Sequence, residues 1–289
     1  KFRVDIATTR AESYPEPACL PVIDAVRVPI ERDLFRRDFT INALAVRLDD
    51  GSHALTDPYG GRRDLEERVL RVLHPASFRD DPTRVFRAAR FLGRLKHRPA
   101  PGMIDEAKDA LAAGHAGKLS PHRLLHELVC LLGEKDPGPA FVLLEAWGYL
   151  ALLHPEFPGK LALPAGVEPR LAALALALGP EKGREFVDAF PHAHHLRTLL
   201  HDSLALAFSN KSPRTAPEPL VIAAARRFLP KLPPAALKPC FLTGADLIAL
   251  GLKPGPAFHA LLDEAARLQR LGALKTRAAA RAWLAAQAR

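Results

Sequence analysis

Along the first quarter of the chain apolar and polar residues alternate in short runs. From about residue 75 onward the spacing lengthens to that of amphipathic helices. FRVDIATTR, residues 2–10, alternates and carries β-branched residues, which predicts a strand. AVRLDDGSHALTDP, 45–58, reads as a hairpin turning at Asp50-Gly51, and DLEERVLRVL, 64–73, as a short helix running into a last strand. Three later helix starts, Asp81-Pro82, Ser120-Pro121 and Asp136-Pro137, each set a polar cap before a proline and an apolar stripe. The segments 120–133 and 136–153 are predicted core helices, and further helices are expected over 167–178, 181–189 and 195–207. The proline-bearing SNKSPRTAPEP, 209–219, reads as a linker to a final helical part. The pattern predicts an α+β protein, a small mixed β head followed by a long all-α body.

One of these helices carries candidate chemistry. DDPTRVFRAARF, 80–91, places two acids and a proline ahead of arginines three apart. Arg84, Arg87, Arg90 and Arg94 fall within about a third of the helix circumference, and Val85, Ala88, Ala89, Leu92 and Leu95 lie opposite. A solvated charged face is the ordinary reading of such a stripe. Arginine alone, without interleaved Lys or Glu, also suits an anion site, because its planar fork matches phosphates and base edges.

Charge sharpens that second reading. The 289 residues carry a formal charge of +9 with 48% hydrophobic residues, which describes a globular protein with a polyanionic partner, nucleic acid first and an anionic membrane surface second. No apolar run approaches a membrane span; the best, 171–179, has the length of a buried helix. Cys19, Cys130 and Cys240 lie far apart without metal-ligand spacing, which fits a reducing cytosol. Aromatic content of 7% argues against a base-stacking platform, so contacts to nucleic acid are expected mainly through phosphates and shape.

Four segments in order, RRDFTINALA (36–45), DPYGGRRDL (57–65), DDPTRVFRAARF (80–91) and SPHRLLHEL (120–128), resemble the class II tRNA nucleotidyltransferase and bacterial poly(A) polymerase family. That family includes CCA-adding enzymes and relatives that add only CC or only A. FLTGADLIALGLKPGP, 241–256, extends the resemblance more weakly. By this resemblance Arg37, Asp38 and Asn42 recognise the ribose of the incoming nucleotide. Asp81 and Arg84 read the Watson–Crick edge of CTP or ATP, an acceptor beside a donor in place of a complementary base. Arg87 and Arg90 face the triphosphate or the RNA end. Arg94, Arg123 and Lys253 are expected to contact RNA. Gly60-Gly61 marks either a turn that needs glycine or a ligand-contacting loop. The family acid at 80 is Glu and here is Asp80; a family Glu at 122 is replaced by His122. Glu127 is read as a structural ion pair with a nearby arginine.

The resemblance further implies two-metal nucleotidyl transfer with Mg2+. Asp5 matches the third metal-binding acid, and catalysis is assigned to it. The phosphate-binding turn and the Asp-x-Asp pair would precede it, and no other segment supplies them. The expectation is therefore a shortened version of a complete enzyme, inactive as it stands. The expected parts are a partial nucleotidyltransferase head at 1–73, a nucleotide-selecting neck at 74–135, a helical body at 136–209 and a tRNA-binding tail at 210–289. The expected partners are tRNA with ATP and/or CTP, with no membrane and no protein partner evident. The expected function is CMP and/or AMP addition to the tRNA 3′ end. A poly(A) polymerase and a non-catalytic tRNA binder are the alternatives. The YPEPACLP core of 11–35 leans toward a specialised A- or CC-adder. His201-Asp202 resembles a metal-binding pair, but His195 and His201 do not share a helical face, which favours a surface helix.

Overall fold

The computed structural model describes residues 4–48, 51–157, 159–209, 217–228 and 233–287. The chain divides into two compact units, Lys1–Ala162 and Leu163–Arg289. No helix among the described residues is long and apolar enough to cross a membrane. The three cysteines carry free thiols.

The first unit opens with β1 (Arg10–Ser13), antiparallel to β2 (Val22–Val26) with a register irregularity between Ala11 and Glu12. The strand expected from residue 2 therefore starts late. Its first two positions lie within the undescribed residues 1–3, and 4–9 is not strand. A strand needs a partner, and β2 reaches only as far as Thr9, whose carbonyl accepts from the Arg27 amide. Next come α1 (Ile30–Phe35) and a 3-10 turn at Thr40–Asn42. β3 (Ala45–Val46) then pairs antiparallel with β4 (Leu55–Thr56). This is the expected hairpin, although Asp50 of its turn lies outside the described residues. α2 (Gly61–Glu66) runs into β5 (Val69–Leu70), as the pattern predicts.

The helical part follows. α3 (Ser77–Asp80) leads into α4 (Thr83–Leu95), and β6 (Arg98–Pro99) returns parallel to β5. α5 (Met103–Ala112), α6 (Pro121–Leu132) and α7 (Gly138–Ala146) complete the unit's helices. The single helix expected over 136–153 breaks at Gly148, whose φ of +83° leaves the right-handed region, and resumes as a 3-10 turn. α4 buries Val85, Phe86, Ala88, Ala89 and Leu92. Each large side chain so covered contributes roughly 1.5–3 kcal/mol. Phe86 meets Tyr149 edge to face at 6.0 Å, and the Tyr149 hydroxyl donates to the Ala107 carbonyl.

The second unit holds α8 (Val167–Ala177), α9 (Pro180–Ala189), α10 (His194–Phe208) and α11 (Pro219–Phe228). It continues through α12 (Gly244–Ile248), α13 (Pro256–Arg270) and α14 (Arg277–Gln287). Most of the expected linker, 210–216, lies outside the described residues. Leu242, Leu247, Phe258, Ala265, Leu274, Ala280 and Leu284 form a core beneath α12, α13 and α14. Thr243 and Asp246 form a complete capping box at the start of α12.

Candidate functional site

Phe39 organises the site. It is fully buried, meets Phe91 edge to face at 5.6 Å and bridges to Val72. That anchor fixes its neighbours. Asp38 Oδ1 accepts from the Phe39 amide at 2.9 Å and from Asn42 Nδ2 at 3.0 Å. Asp38 Oδ2 accepts from Arg87 Nε at 2.8 Å.

The glycine turn supports the same segment. Gly60 adopts φ +72°, and a Cβ on Gly61 would stand 2.1 Å from the Thr40 carbonyl oxygen. Asp57 caps α2 by accepting from the amides of Gly61 and Arg62, while buried Asp64 accepts from Thr40 Oγ1 at 2.6 Å and pairs with Arg71. In the described structure the turn braces residues 40–42, so the conformational reading of Gly60-Gly61 is the one this geometry supports.

α4 forms the opposite wall. Asp81 Oδ1 accepts from the Thr83 amide at 3.1 Å, which caps the helix as the Asp-Pro start predicts. The same oxygen takes the Thr83 hydroxyl and Arg123 Nη2, the latter at 2.6 Å. Arg84 is only 3% exposed. Its Nη1 donates to Ser77 Oγ at 2.6 Å and its Nη2 to the Arg36 carbonyl at 3.0 Å and the Tyr14 hydroxyl at 3.4 Å.

These side chains border one open cavity of about 780 Å3. Arg37, Asp38, Asn42, Asp81, Arg84, Arg87 and Arg123 all line it. Sequence reasoning missed Glu12, Tyr14, Arg36 and His126, which line it too. Glu12, Tyr14 and Arg36 arrive there because β1 and the end of α1 fold against α4, and His126 because α6 does, a long-range packing that local spacing does not encode.

The arginine stripe divides. Arg84 and Arg87 face the cavity, whereas Arg90 and Arg94 do not line it. Arg94 reaches Glu134 at 3.2 Å and stacks over Phe91 at 4.7 Å, and Arg90 lies 3.9 Å from the same carboxylate. The helix turns 100° per residue, so successive arginines three apart drift away from the cavity toward the end of α6. The face is not the solvated stripe of the ordinary reading. Arg123, expected at an RNA surface, stands in the cavity wall, where its Nη1 also donates to the Ala18 carbonyl at 2.6 Å. Lys253 lies exposed in the second unit, just ahead of α13.

Electrostatically the wall is crowded. Glu12 pairs with Arg10 and Arg36, Asp38 with Arg87 and Asp81 with Arg123. Glu127, on α6, is 5% exposed and forms none of the expected ion pair among the described residues. Burial pushes its carboxyl above the usual range, while the charges of Arg87 and Arg90 oppose the shift. Burial likewise raises the Tyr14 hydroxyl, and the Arg84 charge opposes it.

Asp5 is exposed, and no group of three or more His, Cys, Asp or Glu side chains able to hold a metal forms among the described residues. The described acids alone therefore do not make up a two-metal centre, and Asp5 could supply one carboxylate to it at most. His201, of the resembling His-Asp pair, hydrogen-bonds Asp188 through Nε2 at 3.0 Å.

Residues 1–71 match the Poly A polymerase head domain family. The chain is 37% identical over 293 aligned positions to a CC-adding tRNA nucleotidyltransferase of Deinococcus radiodurans, covering 98% of this chain and 73% of that one. It is 44% identical to an A-adding tRNA nucleotidyltransferase of Geobacter sulfurreducens over 54% of this chain, but spans only 18% of that relative's length. Among solved structures it is similar to a CCA-adding enzyme in an apo form, with TM-score 0.60 and 27% identity, over 94% of this chain and 77% of the other. A CCA-adding enzyme in complex with ATP gives TM-score 0.55 and 25% identity over 83% and 68% of the two chains.

Proposed function

Because the chain belongs to the class II tRNA nucleotidyltransferase family, we propose that its cavity takes an incoming ribonucleoside triphosphate for addition to a tRNA 3′ end. The observation that carries this reading is the convergence of Asp38, Asn42 and Arg87 with Asp81 and Arg84 around one cavity. A carboxylate held by Asn42 and Arg87 suits the vicinal hydroxyls of a ribose. Asp81 Oδ2 accepts no hydrogen bond among the described residues, and Arg84 has two N–H groups beyond its three recorded bonds. An acceptor and a donor on one helix start can together select the edge of cytosine or adenine.

Arg37 and Arg87 are assigned to the nucleotide, and Arg123 to holding Asp81. Arg90, Arg94 and Lys253 are assigned to RNA contacts through phosphate charge. The division into head at 1–73, neck at 74–135, body at 136–209 and tail at 210–289 belongs to the same proposal. Members of the family generally use a divalent metal; Mg2+ is the ion proposed, with Asp5 as one ligand. A cytoplasmic location accompanies a tRNA-processing role.

The product is proposed to be a specialised one. The relative that matches 98% of this chain carries the CC-adding name, and the unusual 14–21 segment borders the cavity through Tyr14. Equilibrium titration with CTP, ATP, UTP and GTP tests the cavity: amino-bearing CTP or ATP should bind at least about tenfold tighter than UTP. Equal binding of all four would remove the base-reading role of Asp81 and Arg84. Labelled CTP and ATP offered to tRNAs ending at the discriminator base, at C and at CC, beside a non-tRNA RNA, identify the subtype. Extension of every RNA with ATP would instead indicate a poly(A) polymerase.

A further inference from the structure

Four carboxylates line the cavity, and three of them take hydrogen-bond donors from the protein. Glu12 accepts from Arg10 and Arg36. Asp38 accepts from the Phe39 amide, Asn42 and Arg87. Asp81 accepts from Thr83 and Arg123. Glu127 is the exception: it is 5% exposed, lines the same cavity and has no hydrogen bond or ion pair among the described residues. Its oxygens are not sealed in the interior but open to the cavity, where they can accept from a donor that enters it.

Resting on the reading that this cavity binds a ribonucleotide, we infer that Glu127 is a further specificity-determining contact, accepting a hydrogen bond from a donor group of the bound nucleotide. The chemistry of the surroundings selects the kind of group. A phosphate would meet the carboxylate with like charge. A metal would need further ligands, and no three-ligand group forms among the described residues. What remains is a neutral N–H or O–H donor. A ribonucleotide offers two: the exocyclic amino group of cytosine or adenine, and the ribose hydroxyls. Glu127 lies within electrostatic reach of both Asp81 and Arg87, one assigned to the base and the other to the ribose side.

Position on the helix bears on the ion pair expected for this residue. Glu127 follows Arg123 by four, so α6 places the two on one face, one above the other. The Arg123 guanidinium is directed at Asp81 and at the Ala18 and Cys19 carbonyls, and it forms no bond to Glu127 among the described residues. The expected structural ion pair is thereby replaced by an open acceptor.

The test compares wild type with Glu127→Met and Glu127→Gln in the full chain. Thermal unfolding is measured beside equilibrium binding of CTP, ATP, UTP, ITP and the 2′- and 3′-deoxy forms of CTP and ATP. Met matches the length and removes the acceptor; Gln keeps an uncharged acceptor. Met should leave the melting temperature unchanged or raised and weaken CTP or ATP binding by about 10- to 100-fold, with Gln recovering part of the loss. The analogue whose affinity Met does not weaken further names the donor. ITP and UTP unaffected assigns the amino group; a deoxy form unaffected assigns the hydroxyl. Wild-type affinity in the Met variant, or the same loss for every analogue, would overturn the inference while leaving the cavity's role intact. Absence of nucleotide binding by wild type would overturn both.

Discussion

Arg87 donates through Nε to Asp38 Oδ2 at 2.8 Å across a sequence separation of 49 residues, joining α4 to the segment that follows α1. The carboxylate is nearly covered, its side chain 7% exposed, whereas the arginine retains 34%. Removing the arginine leaves a buried carboxylate with only its Phe39 and Asn42 donors. Arg87→Met should therefore cost about 1–3 kcal/mol of stability in the first unit. It should also release Asp38 from its fixed rotamer, so discrimination between ribo- and deoxyribonucleotides should fall. Arg87→Lys restores the charge but not the fork, and only part of the stability should return. Denaturant unfolding and competition between ATP and dATP check both parts.

A backbone contact makes a sharper prediction at Gly61. An added Cβ would sit 2.1 Å from the Thr40 carbonyl oxygen, a backbone atom that cannot swing aside. Gly61→Ala must push α2 away from residues 40–42 and disturb Asn42, which holds Asp38. The expected cost exceeds about 3 kcal/mol, in the range of severe overpacking, and nucleotide affinity should fall with it. Gly60→Ala meets no atom within 4 Å and bears only the left-handed penalty, about 1–2 kcal/mol. The two melting temperatures should separate accordingly. Equal melting temperatures would contradict the steric argument.

The contrast between these glycines illustrates what the chain makes legible. A Gly-Gly pair ahead of a helical run announces a turn, and the helix starts at Asp81, Ser120 and Thr243 announce themselves by their caps, because each depends on residues within one turn of chain. The α+β class and most helix positions follow from such local signals. The spacing of three puts the four arginines on one side of α4 but does not say what each one meets. Whether Arg84 meets Arg36 or Arg94 meets Glu134 depends on packing across tens of residues. Tyr14 and Glu12 reach the cavity for the same reason, through a strand pair whose register no spacing rule specifies. The family resemblance assigned roles to individual side chains; the partners that hold them became visible only in the folded arrangement.

In the second unit, Asp246 is a hub whose loss should be felt locally. Its side chain is 5% exposed and accepts from the Thr243 amide at 2.9 Å, from Arg281 at 2.8 Å and from Arg277 at 3.3 Å. Burial alone would raise its carboxyl, but the Thr243 and arginine donors hold it well below the usual range. A depressed acid contributes stability that is present above its unfolded value near 3.8 and lost as pH falls through the folded one. Asp246→Asn should cost roughly 1–3 kcal/mol, because the two arginines that it spans lose their counter-charge. Since both arginine side chains are more than half exposed, solvent screens part of that loss. Hydrogen exchange should quicken in α12 and α14 while α4 to α7 in the first unit stay protected.

His192 makes the opposite prediction with pH. The ring is 9% exposed, and neither nitrogen finds a hydrogen-bond partner among the described residues. Burial lowers its proton affinity first, and the charges of Arg197 and His201 lower it further. The folded state therefore holds the neutral ring more firmly than the unfolded chain does. Between the lowered folded value and the ordinary value of 6.5, the unfolded state binds the extra proton, so stability falls as pH drops through that window and is flat above it. The slope from this one group cannot exceed about 1.4 kcal/mol per pH unit. His192→Phe keeps an aromatic ring beside Phe190 and has no nitrogen to leave bare. Denaturant unfolding of the second unit's transition at pH 7.5 and pH 5.5 (conditions about a unit either side of that value) should show wild type losing more stability on acidification than the variant. Parallel losses in the two proteins would mean that the ring takes up its proton without penalty in the folded state, and that its burial does not control the acid response.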